Sequence, residues 1–67
     1  MLREYFVNTL AQSNGDHEVH QEGCSWMPLS KHSVGSHASC HSAVQAAKMY
    51  FSRADGCAHC SPLCHTR

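Results

Sequence analysis

The chain opens on a strand pattern: Tyr5-Phe6-Val7-Asn8 is dense in aromatic and β-branched residues, with Tyr5 and Val7 on one face and Phe6 on the other. Ser13-Asn14-Gly15-Asp16 follows, a cluster of residues that tolerate positive φ, and its Asn-Gly pair predicts a chain reversal and a hairpin. The return strand is His17-Glu18-Val19-His20. A period of two sends His17 and Val19 to one face and Glu18 and His20 to the other, so the two histidines are not expected to share a ligand role. Pro28 interrupts any regular element, Pro28 to Ser33 reads as a polar loop, and Val34 to Ala38 is the candidate third strand.

The pattern then changes period. Ser39, with Ser42 three residues on, is the N-cap candidate of a helix whose apolar set Ala43, Val44, Ala47, Tyr50 and Phe51 falls at i, i+1, i+4, i+7 and i+8. That stripe can lie on a small sheet, the alanines favour the helix intrinsically, and Gly56 is the expected stop. The order predicts an α+β domain spanning residues 1–67: a small antiparallel sheet, made of a hairpin plus a third strand, with one packed helix and a Cys-rich tail.

Composition changes this picture in one respect. With 67 residues, two Phe, two Tyr and one Trp, the chain has few large core side chains, and packing alone leaves so short a domain marginal. Five Cys and seven His are the obvious source of a staple. Five is an odd number for a closed disulfide framework. No export signal or apolar run of roughly 18 residues is visible, so a soluble cytoplasmic protein with reduced thiols is expected, and metal ligation is favoured over disulfides. Five Lys+Arg balance five Asp+Glu, and the basic residues are scattered, which gives no strong nucleic-acid footprint.

Two chelating clusters bracket the helix, His20-x3-Cys24 and Cys57-x2-Cys60. A pair three or four residues apart can wrap one ion in a single turn of chain, and four N/S ligands suit tetrahedral Zn²⁺. Such an ion would close a loop of more than thirty residues, and a binding free energy of about 10 kcal/mol or more would supply what the core lacks. Cys64 is the alternative fourth ligand if His20 points away. Cys40, at the helix start, reads as a small half-buried side chain, with a reactive thiol as the sharper reading.

Val7-Asn8, His20-x3-Cys24 followed closely by Pro28, a Ser-capped helix with paired Ala, and Gly56-Cys57-x2-Cys60-Ser61-Pro62 together resemble the zinc-binding (Ada-type) domain of bacterial DNA alkylation-repair proteins. The resemblance covers roughly Phe6 to Pro62. It implies a small sheet with a helix packed on it and a four-ligand zinc site at the sheet edge. In that family the first pair is usually Cys-x3-Cys and its first Cys accepts a methyl group from a DNA phosphotriester. Here that position is His20, and imidazole does not replace the thiolate in that transfer. The pattern thus resembles a small stand-alone protein that keeps the metal without the methyl acceptor.

Other chemistries find less support. Cys60-x3-Cys64-His65 departs from the c-type haem motif, His17 and His20 are three rather than four apart for a zinc-protease helix, and no nucleophile elbow is present. His32, His37 and His41 have no evident chelate partner and read as surface histidines. Trp26 and Met27 are expected to cover the metal, with an exposed recognition patch as the alternative. The reading is a non-enzymatic, monomeric binding module with structural zinc on His20, Cys24, Cys57 and Cys60, no membrane association and a protein or nucleic-acid partner. The alternative is a nucleic-acid-binding or alkylation-repair domain with Cys24 as acceptor.

Overall fold

A computed structural model describes residues 1–66. Strands β1 (Arg3–Asn8), β2 (His17–Gln21) and β3 (Lys31–His37) precede helix α1 (Cys40–Ala47), which is followed by β4 (Ala54–Gly56) and a single 3₁₀ turn at Pro62–Cys64. The sheet order is β3-β1-β2-β4. β1 pairs antiparallel with both β2 and β3, whereas β2 and β4 run parallel. The α+β class is as expected. The sheet is mixed rather than antiparallel, because the short β4 adds to its edge.

The predicted alternation places the core. Tyr5, Val7 and Val19 turn toward α1 and pack with Ala43, Val44 and Ala47, while Val34 and Phe51 lean on the cluster from the side. Small helix residues let α1 lie close to the sheet; among the described residues no fully buried apolar side chain is larger than Val7 and Val19. Between β1 and β2, Gly15 adopts φ 90° and the Asn14 side chain accepts a hydrogen bond from the Asp16 amide at 2.9 Å, so the Asn-Gly reversal forms where the sequence put it. Buried Asp16 is held by the Arg53 guanidinium at 3.1 Å, which ties this turn to the segment before β4.

Two boundaries differ from expectation. β3 begins at Lys31, three residues before the predicted start, because its backbone continues the ladder with Asn8 and Val7 of β1. The helix ends at Ala47 instead of continuing through Phe51 to Gly56. Beyond Ala47 the chain keeps turning, with the Tyr50 and Phe51 amides both donating to the Ala47 carbonyl at 2.9 Å, and its aromatics meet two histidines: Tyr50 packs edge-on against His32 at 4.6 Å, and Phe51 stacks on His17 at 4.0 Å between ring centres. Ser39 occupies the N-cap position in extended conformation without a side-chain capping bond.

Candidate metal centre

The parallel pairing of β2 with β4 builds the site. Val19 lies opposite Gly56, and the Cys57 amide donates to the Val19 carbonyl at 3.0 Å, so His20 and Cys57 emerge side by side from the same end of the sheet. Beyond β2 the chain turns through Gly23 at φ 84°, with the Cys24 amide donating to the Gln21 carbonyl at 3.0 Å, and Cys24 comes back toward His20. Beyond β4 the Ser61 amide donates to the Cys57 carbonyl at 2.8 Å, closing the turn that carries Cys60. Ligand atoms of His20, Cys24, Cys57 and Cys60 all lie within 4.8 Å of one another. The four residues singled out in the sequence are therefore the four that the fold brings together.

The donor geometry fits a tetrahedral ion. Bond lengths of about 2.3 Å to sulfur and about 2.0–2.1 Å to nitrogen imply an N···S edge of about 3.6 Å, and His20 Nδ1 lies 3.6 Å from Cys24 Sγ. His20 and Cys57 are each 1% exposed, whereas Cys24 and Cys60 are half-buried. Each sulfur faces a backbone N–H: Gln21 donates to Cys60 Sγ at 3.2 Å, His59 donates to Cys57 Sγ at 3.4 Å, and the Trp26 amide bonds to Cys24. Such donors stabilise thiolate charge. The other imidazole nitrogen of His20, Nε2, is 3.5 Å from Glu18 Oε1, a carboxylate that favours the proton on Nε2 and so leaves Nδ1 to coordinate. Glu18 was not singled out in the sequence; its position two residues before His20 on the same strand face was the available signal.

Electrostatics give the same reading. Burial, reinforced by the neighbouring Cys60 and Cys57, pushes the Cys24 thiol up to about 12 against the opposing Trp26 N–H. Burial also raises Cys57, and burial lowers His20 although Glu18 opposes it. Three sulfurs this close repel one another as thiolates. A dication would remove that penalty and leave a formal charge of −1 on the Cys3His set.

The remaining cysteines are not spare thiols. Cys40 and Cys64 form a disulfide, with Cα atoms 6.2 Å apart, that joins the start of α1 to the 3₁₀ turn. This corrects the expectation of reduced thiols and removes Cys64 as an alternative fourth ligand in this state. The odd count resolves into one bridge and three sulfurs at the centre. Trp26 does not seal the site: it is 66% exposed and stacks on His59 at 5.4 Å, nearly parallel, so the two loops that carry the candidate ligands touch through their side chains. Three of the other histidines make hydrogen bonds to backbone carbonyls. His17 Nδ1–H donates to the Asn8 carbonyl at 2.9 Å, His37 Nε2–H donates to the Val34 carbonyl at 2.8 Å, and His65 Nδ1–H donates to the Gly56 carbonyl at 3.0 Å.

Comparisons with protein-family models, curated proteins and solved structures found no match. Function is therefore read from the centre itself. Among the described residues, no helix is long and apolar enough to cross a membrane.

Proposed function

We propose that this chain is a non-enzymatic, zinc-stabilised binding module in which His20, Cys24, Cys57 and Cys60 hold Zn²⁺. The observation that carries the reading is the convergence of these four donors at a spacing that matches tetrahedral coordination. Four protein ligands leave no position for substrate, which is the physical reason to assign the ion a structural role. The same arrangement, a centre at the end of a small sheet that carries a helix, supports the resemblance to Ada-type zinc domains. The exposed Trp26–His59 stack is the surface offered to a protein or nucleic-acid partner, since aromatic side chains are favoured at interfaces. The Cys40–Cys64 bridge is of a kind that a reducing cytoplasm rarely keeps, so it lends no support to a cytoplasmic location.

A second reading rests on the half-buried state of Cys24: with His20 at the family's acceptor position, Cys24 is the sulfur of the first pair left for methyl transfer from alkylated DNA. Elemental analysis of purified protein separates structural zinc from no metal. One zinc per chain is expected, lost with the fold in Cys24→Ser, Cys57→Ser, Cys60→Ser and His20→Ala and kept in Cys64→Ser. A metal-free, folded protein would end the proposal. Mass spectrometry after incubation with methylated DNA tests the second reading; a methylated Cys24 would replace the structural module with a repair domain.

A further inference from the structure

We infer that Cys40, His41 and Cys64 form a second, redox-gated metal site, closed as the disulfide in this structure and able to hold a soft divalent cation such as Zn²⁺ once reduced. One ligand atom from each of the three residues lies within 4.8 Å of the other two. The bridge alone would account for the two sulfurs, but it does not require an imidazole beside them. Cys40 and His41 are the first two residues of α1, and Cys64 is brought to them by the 3₁₀ turn.

Three features make this a cation site in the reduced chain. The donors are two thiolates and an imidazole, the set that favours zinc and related soft ions. No acidic side chain occupies the first turn of α1 and Ser39 makes no side-chain cap, so the helix N-terminus favours negative charge on Cys40. Space is also present. His41 lies between two open hollows of about 380 and 250 Å³, the first shared with Cys64 and the second with Cys40. A fourth ligand from solvent can therefore reach the ion. On opening, the sulfurs separate from bonded contact to about 3.8 Å, the edge of a tetrahedral zinc site, a displacement within reach of side-chain rotation.

The chemistry balances in two steps. A phosphine takes up oxygen from water and becomes the phosphine oxide, while its two electrons and the two water protons cleave the S–S bond to give two thiols. The cation then displaces both thiol protons and forms two metal–sulfur bonds. A dithiol performs the first step equally, becoming a cyclic disulfide.

The test is metal stoichiometry by anaerobic titration with Co²⁺, followed by its absorption, before and after treatment of the full chain with tris(carboxyethyl)phosphine. Reduction is expected to add one equivalent. His41→Ala is exposed enough to leave the oxidised fold intact, and it should lose that increment or bind at least tenfold more weakly. The Cys40→Ser/Cys64→Ser double variant should show no increment. Because the increment is a difference between redox states, failure of the first centre would appear separately as zero equivalents in the oxidised chain. No increment on reduction, or an increment that persists at full affinity in His41→Ala or in the double variant, overturns the inference.

Discussion

A Cβ placed on Gly56 would lie 2.6 Å from the Cβ of Cys64 and 2.7 Å from its carbonyl carbon. Gly56 ends β4 and immediately precedes Cys57, so its missing side chain lets the 3₁₀ turn close over the sheet edge and deliver Cys64 to Cys40. Gly56→Ala is therefore expected to destabilise the domain by about 1–3 kcal/mol through overpacking against backbone. It should also weaken metal binding, because Cys57 must shift with it. Chemical denaturation of the metal-loaded protein measures the first effect; an unchanged midpoint would show that the turn can move away without cost.

Much of the centre was legible in the sequence because its spacing is local. His20-x3-Cys24 and Cys57-x2-Cys60 each chelate through a single turn, whatever surrounds them. The partner of each pair was not legible in the same way. β4 consists of Ala54, Asp55 and Gly56, three residues with low strand propensity, and it exists through parallel pairing with β2. The Cys40–Cys64 bridge depends on the same tertiary closeness, with 24 residues of separation hiding it from any local pattern. Tyr50 and Phe51 fitted the helical stripe by spacing, and they follow the regular helix in a turn that still bonds to Ala47; their contacts with His32 and His17 are tertiary and invisible to local periodicity.

Glu18 is expected to act through His20. Removing its carboxylate in Glu18→Ala leaves the imidazole Nε2 without that partner, and metal affinity should fall by about 10-fold, with Glu18→Gln intermediate because its amide oxygen still accepts. Competition against a chromophoric chelator gives the affinity ratio. Equal affinities for wild type and Glu18→Ala would show that Gly23 and the Cys24 loop, rather than Glu18, orient His20.

Trp26 should report occupancy of the centre. Its backbone N–H is bonded to Cys24 and its ring lies on His59, in the loop of the Cys57-x2-Cys60 pair. If an ion joins the two loops, its removal should loosen them, so the stack should open and the emission maximum of this single tryptophan should shift to the red with chelator and return with Zn²⁺. Trp26→Ala, at a largely exposed position, should change stability by no more than about 0.5 kcal/mol. A spectrum indifferent to metal would separate Trp26 from the centre.

Metal affinity should rise with pH, and the sign follows from the protonation states of the metal-free cluster. Burial raises Cys24, to about 12, and also raises Cys57, so both are thiols near pH 7.5 and must release protons when they coordinate. Burial lowers His20 from 6.5, so its ring is already neutral at that pH and releases none. Between pH 7 and 8 the affinity should therefore climb by about 100-fold or more per pH unit, the slope for two thiol protons. Below 6.5, as pH falls through the lowered His20 value, the imidazole also takes up a proton and the slope steepens. Stability supplied by the ion is accordingly present at neutral and mildly alkaline pH and is lost on acidification. Isothermal titration calorimetry in buffers of different ionisation enthalpy counts the released protons, and a count near zero at pH 7.5 would mean that Cys24 and Cys57 are already thiolates before the ion arrives.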